Sequence, residues 1–269
     1  MTERVLLHAG IADSRMYRQQ LETLAPARAL DLPGFGRTPL GPDTPDDRTF
    51  VRDRLPDGPA TLIGTSLGGR LALELALEEP DRVAALVLVG PGLAEHEWSE
   101  EVRAFGAEEE AALERGDLDG AVEANVKLWL ADDVDPEIRA LVADMQRTAF
   151  QLQDGHDFPS IPPLDPPASV RLGEIRVPTL VVTGSEDVRD IHQIAQTLRE
   201  GIPGAESASP TLWYVNANAA AFAAARSSSA ADGAGVLLVA ATPAGGSAVS
   251  MWARSAVCAP AVSLRSKVA

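Results

Sequence analysis

The chain of 269 residues holds a single cysteine, Cys258, so no internal disulfide framework braces it, and a reducing compartment suits it. Long apolar runs are missing as well. Met1-Thr2-Glu3-Arg4 leads straight into Val5-Leu6-Leu7, too short for a secretory signal, and no later stretch is long enough to span a bilayer. A cytoplasmic location without a membrane partner is therefore expected. Positive charge is scarce: 23 bases stand against 39 acids, for a formal charge of -16, which disfavours nucleic acid and anionic surfaces as partners. Glycines spaced for dinucleotide binding are lacking too, since Gly64, Gly68 and Gly69 do not fit that fingerprint and no ribose-binding acid lies about twenty residues on. Histidine is represented by four residues, His8, His96, His156 and His192, with none after the last.

What the chain does have is organised around Gly64-Thr65-Ser66-Leu67-Gly68, with Gly69 directly behind. The short apolar run Thr61-Leu62-Ile63 precedes it. Strong helix formers follow, from Arg70 to Leu77, up to the stop at Pro80. A G-x-S-x-G pentapeptide acquires a mechanism when a strand enters it and a helix leaves it. Glycines at both ends let the backbone pass close to itself, and the helix N-terminus offers amide donors to an oxyanion. A glycine-rich turn that merely packs helix against strand is the plainer alternative.

With 45% hydrophobic residues, the chain can bury a large core of one α/β domain. Val5-Leu6-Leu7 reads as a buried strand running into His8-Ala9-Gly10, and a helix is expected over about residues 14–24. Arg28-Ala29-Leu30 reads as a second strand, with Asp31-Leu32-Pro33-Gly34-Phe35-Gly36-Arg37 as a tight loop leaving it. Residues 83–90 and 177–184 are further buried strands, and residues 191–200 a helix. Strand, helix and strand repeat, which predicts a doubly wound, mostly parallel α/β sheet. Between Leu93 and about Ala168 the pattern changes to charged amphipathic helices. One presents Val122, Val126, Trp129 and Leu130; another starts with Asp135 as cap and Pro136, then presents Ile138, Leu141, Val142 and Met145. The proline-rich residues 158–167 read as an extended connector. The organisation expected is core at 1–92, helical cap at 93–168, core again at 169–206, and an atypical low-complexity segment at 207–269.

Taken in order, the run from Val5 to Gly10, the loop from Asp31 to Arg37, the Ser66 elbow with its following strand, and the run from Val177 to Asp187 resemble an α/β-hydrolase of the small esterase and enol-lactonase type. The resemblance covers about residues 5–206. It implies that the helices between Gly92 and Ala168 are a cap inserted after the family's sixth strand, where they shape the acyl pocket. It also implies a hydrolase of a small carboxylic ester or lactone, needing no metal or cofactor. The family begins with a hairpin ahead of the strand that here is residues 5–7, so an exposed sheet edge is expected.

Serine esterases need a nucleophile, a base, a carboxylate that orients the base, and oxyanion donors. Ser66 fits the nucleophile. Asp187 follows a buried strand by a short turn from Gly184, where the family places its acid, with Glu186 and Asp190 as neighbouring competitors. The Leu67 N–H is one oxyanion donor. By resemblance of His8-Ala9-Gly10 to the family's His-Gly-X loop, the Gly10 N–H is the second, although Ala9 stands where the family has glycine. The base has no such match. In this fold it follows the acid, in a loop after the last strand, yet His192 lies on the helix immediately after Asp187. His8 belongs to the oxyanion loop as a structural partner, and His96 and His156 read as solvated cap residues.

The tail accounts for the gap. Beyond Glu206 it holds one acid, Asp232, and four bases, Arg226, Arg254, Arg265 and Lys267, so the preceding residues alone carry -19. Residues 217–229 are low-complexity, and the one strand-like run is residues 235–240. Residues after about Glu206 read as translated out of frame or replaced relative to a functional ancestor, with a divergent C-terminus as the alternative. The last strand, the histidine loop and the closing helix are then expected to be lost, leaving low stability and impaired chemistry. Two other functions stay open: a non-catalytic scaffold of this fold that binds a small hydrophobic ligand, and a cofactor-free haloperoxidase-like activity using the same residues.

Overall fold

The apolar runs become neighbouring strands of one sheet. The computed structural model describes residues 2–132 and 134–208, and the low-complexity stretch and the run at residues 235–240 lie outside the described residues. Among these the strands are β1 (Arg4–Leu7), β2 (Ala27–Leu30), β3 (Ala60–Thr65), β4 (Val83–Val89), β5 (Thr179–Val182) and β6 (Glu206–Ala208). Their order is β2-β1-β3-β4-β5-β6, and each neighbouring pair is parallel. Leu62, Leu86, Val87 and Leu88 are sealed from solvent, as strands covered on both faces require. From β1 the chain steps outward to β2, then returns to the other side of β1 as β3 and continues in that direction. Right-handed crossovers place the helices before and after this reversal on opposite faces, which is the expected doubly wound arrangement. The reversal falls between β1 and β3, the place where open α/β sheets generally bind their ligands.

Where one helix is expected over residues 14–24, the structure has a 3-10 turn at Ser14–Tyr17 followed by α1 (Arg18–Thr23). Asp13 closes the first turn tightly by accepting from the Arg15 N–H. Next come α2 (Asp47–Arg52) and α3 (Leu67–Glu78), the latter buried on nearly every side. Burial there includes charge. Arg48 Nη1 donates to Glu74 Oε2 at 2.8 Å and Arg70 Nε to Glu74 Oε1 at 2.7 Å, so the buried carboxylate has a cation at each oxygen.

Between β4 and β5 lie α4 (Glu100–Glu114), α5 (Leu118–Trp129) and α6 (Pro136–Gln153). Val122, Val126 and Trp129 face inward as their spacing predicts, while Leu130 is buried just beyond the end of α5. Asp135 caps α6 through the Glu137 N–H at 2.8 Å, with Pro136 in the first turn. Phe105 meets Trp129 edge-on at 5.7 Å, joining α4 to α5. The helical unit docks on the sheet's loops through Gln153 Nε2 to Gly34 O at 3.1 Å and Arg15 to Asp144 at 2.6 Å. A third contact is Phe35 edge-on to Phe158. Residues 158–167 carry no helix or strand. After them come α7 (Ala168–Arg171), β5 and α8 (Arg189–Gly201).

The expected loss of the last strand is corrected at its start. β6 pairs Glu206, Ser207 and Ala208 with Leu180, Val181 and Val182, because buried Ile202 anchors the end of α8 and Gly204 (φ 72°) turns the chain back along β5. The outer strands of the described sheet are β2, half-buried, and β6. No helix among the described residues is long and apolar enough to cross a membrane.

Candidate active site

Ser66 sits between β3 and α3 with φ 52° and ψ -109°, the one described non-glycine residue at positive φ. Such a conformation is costly for a residue with a Cβ and persists when its surroundings over-determine it. Here its N–H donates to Val89 O, and its carbonyl accepts from the Gly92 and Arg70 N–H groups, each at 3.0 Å. The flanking glycines are required by contact. A Cβ on Gly64 would enter the Gly68 backbone, and one on Gly68 would enter the Leu7 carbonyl. The elbow is thereby pressed against the end of β1, where the Gly68 N–H donates to His8 O at 3.1 Å. Ser66 is buried, and its Oγ has no hydrogen-bond partner among the described residues.

His8 continues β1 and is sealed from solvent. Its Nε2 accepts from the Leu32 N–H at 3.0 Å, so its proton is on Nδ1, which donates to Ala9 O at 2.8 Å. Burial holds its pKa below the ordinary imidazole value. Both nitrogens are spent on the backbone, and Phe35 lies against the ring at 4.9 Å. That leaves His8 as a brace between the loops after β1 and β2. Gly10 lies in the turn that Ala12 N closes on Ala9 O at 3.0 Å. Leu67, the first residue of α3, has no preceding helical carbonyl for its N–H.

Asp187 is at the far end of β5. Its Oδ2 accepts from the Gly184 N–H at 2.7 Å within the turn that follows the strand. Since β4 lies between β3 and β5, the ends carrying Ser66 and Asp187 are separated by about 10 Å, two strand spacings. Of the competing acids, Glu186 is exposed. Asp190 is buried in the first turn of α8, and its Oδ1 accepts from the Ser99 N–H at 2.7 Å and from His96 Nε2 at 2.9 Å. Burial pushes this carboxyl up, but those two donors outweigh it and hold it below its usual range. His96 is therefore no solvated residue: it is half-buried, bonded to Asp190 and edge-on to Trp98. His156 and His192 are exposed, the latter on α8. Asp190 is thus committed to the segment leading into α4, and sequence spacing carried no signal of that.

Sequence reasoning also passed over Tyr17. Its hydroxyl, fully buried, contacts Leu7 O at 2.8 Å and Thr65 Oγ1 at 2.7 Å, beside the elbow. A tyrosine at the end of a short amphipathic turn gives no hint of this in one sequence.

The family model described as the alpha/beta hydrolase fold matches residues 5–122. Lipase LipV of Mycobacterium tuberculosis is 43% identical over 99 residues, 34% of this chain and 38% of the lipase. The match therefore spans well under half of that relative. A pimeloyl-[acyl-carrier protein] methyl ester esterase of Neisseria meningitidis is 28% identical over 212 residues, 74% of this chain and 80% of the esterase. Among solved structures, the enol-lactonase from Burkholderia xenovorans superposes with a TM-score of 0.60 at 20% identity, covering 78% of this chain and 83% of that one, a likeness of fold. With the serine elbow and the strands β1 to β4 falling in the matched region, the chain has the α/β-hydrolase fold, and the proteins it resembles include a lipase and methyl ester esterases.

Proposed function

We propose that this chain attacks a small carboxylic ester or lactone through Ser66, forming an acyl-enzyme. The observation that carries the reading is the positive-φ serine clamped by β1, β4 and the glycines, a strain with no evident packing use. Ser66 Oγ adds to the carbonyl carbon, and the oxyanion is held by the N–H groups of Leu67 and Gly10. Collapse expels the alcohol or opens the lactone, and water then releases the acid. Asp187 is the acid of the set, and the helices α4 to α6 are the cap over the acyl group. The ester class comes from the methyl ester that names the Neisseria relative. The single cysteine fits a cytoplasmic location.

The chemistry is impaired. No described histidine is free to bridge Ser66 and Asp187: His8 is locked to backbone, His96 is bonded to Asp190, and the other two are exposed elsewhere. Without a base the serine hydroxyl keeps its proton, and what remains is the catalysis of oxyanion hole and binding, roughly three to four orders above water. Residues after 208 are where a base of this fold belongs, and the sequence there has no histidine.

A second reading, a ligand-binding scaffold without turnover, draws on the unpartnered Ser66 Oγ. Rapid mixing with a p-nitrophenyl ester, whose leaving group needs no acid, separates the two. Our reading expects a slow stoichiometric burst that Ser66→Ala abolishes, little turnover after it, and acceleration by added imidazole in the wild type alone. Absence of any Ser66-dependent release would leave the scaffold.

A further inference from the structure

We infer that Tyr17 is a positioning residue for the Ser66 chemistry, its hydroxyl fixing the separation between the two backbone arms that supply the nucleophile and the oxyanion donors. This rests on the function proposed above.

The two arms leave the sheet from adjacent strands. One departs after Leu7 at the end of β1 and carries His8 and Gly10; the other departs after Thr65 at the end of β3 and carries Ser66 and Leu67. Leu7 pairs with Gly64, so the strand ladder controls their spacing up to that register. Beyond it two ties join the arms, the Gly68 N–H to His8 O at 3.1 Å and the Tyr17 hydroxyl, and only the second reaches Thr65. A carbonyl oxygen only accepts, so the single phenolic proton goes to Leu7 O at 2.8 Å, and the Thr65 hydroxyl must donate to Tyr17 Oη at 2.7 Å. The proton order is therefore unique, running from Thr65 through Tyr17 to Leu7. Burial keeps the phenol protonated well beyond its usual range, so the chain of donors stays intact at any working pH.

The same Leu7 carbonyl is the group against which Gly68 packs without room for a methyl. A shift of Leu7 therefore moves the elbow on one side and the loop to Gly10 on the other. Thr65 is covalently joined to the strained Ser66, so rotation of its peptide redirects Oγ. Tyr17 itself stands at the junction of the 3-10 turn and α1, anchored by a ring that is 3% exposed. Its hydroxyl bonds to Leu7 and Thr65, and its effect on the chemistry passes through them.

Burst kinetics with p-nitrophenyl acetate test this. Tyr17→Phe keeps the ring and should slow acylation about tenfold, while the ester concentration giving half-maximal burst rate stays unchanged. Thr65→Val should slow it by a similar factor. The double variant should be no slower than the slower single one, because both break one chain. Thr65→Ser, which retains the hydroxyl, should acylate at the wild-type rate. A purely structural tyrosine would lower the melting temperature and leave the burst rate within twofold; that result overturns the inference, as would losses that multiply in the double variant. Should Tyr17→Phe not fold, the contrast between Thr65→Val and Thr65→Ser decides alone. A wild type with no burst removes the Ser66 assignment and this inference with it, whereas a wild-type burst left unchanged by the variants removes only the inference.

Discussion

His8 Nε2 accepts a hydrogen bond from the Leu32 N–H at 3.0 Å, a role that only the neutral imidazole can fill. Folding holds its pKa below the unfolded value near 6.5, so the unfolded state binds more protons as the pH drops. Stability from this residue is complete above pH 6.5 and is lost as the pH falls below it. Urea melts at stepped pH should show that acid-side loss in the wild type and not in His8→Gln. His8→Ala, which also empties a buried site, should cost roughly 2–4 kcal/mol at neutral pH.

Asp47 works in the opposite direction. It is 1% exposed at the start of α2, and burial with Asp46 nearby pushes its carboxyl up to about 7, against a smaller opposing pull from Arg70. A carboxyl raised on folding loses stability as pH rises from the unfolded value near 3.8 through about 7. Asp47→Asn should therefore stabilise the protein more at pH 8 than at pH 4, by roughly 2–4 kcal/mol in thermal or urea melts. An equal effect at both pH values would show that Asp47 is ionised in the fold.

Two glycines should separate cleanly. Gly68→Ala drives a methyl into the Leu7 carbonyl and should cost roughly 3 kcal/mol or more, or prevent folding. Gly58→Ala meets nothing within 4 Å at an ordinary φ and should be neutral or stabilising by about 0.4–1 kcal/mol. Parallel thermal melts of the two variants check the contrast.

The helices α4 to α6, the cap of the proposed function, are strongly acidic. α4 alone carries six glutamates against Arg103, and the other arginines of this unit are paired internally: Arg115 with Asp117, Arg139 with Glu123 and Arg147 with Asp119. A cationic p-nitrophenyl ester should acylate Ser66 about tenfold faster than an anionic isostere at low salt. The difference should collapse at about 0.5 M salt, where screening is strong. Equal rates at low salt would mean that the approach to Ser66 lies away from this surface.

Reading residues in order was enough for β1, β3, β4 and the elbow because their signals are local: an apolar run, a glycine pair, a helix former after the turn. The Asp135-Pro136 start of α6 was legible for the same reason. Tertiary commitments were not. His96 looked like a solvated cap residue, since nothing in its neighbourhood announces that Asp190, 94 positions away, is its partner. The strand that starts at Glu206 is not legible because Glu206, Ser207 and Ala208 have little strand propensity of their own; the ladder with β5 creates that strand. The assignment of Asp187 over Glu186 stays a proposal, with burial as its support.

The helices α4 to α6 are spliced between two strands that are next-door neighbours, so Val89 and Val182 lie side by side whatever the length of chain joining them. Closing a loop grows costlier only with the logarithm of its length, about 0.6 kcal/mol for each doubling. The sheet is therefore nearly indifferent to how much polypeptide is stored there. Evolution, or an engineer, can lengthen, shorten or exchange the helices inserted there while the elbow itself is inherited untouched.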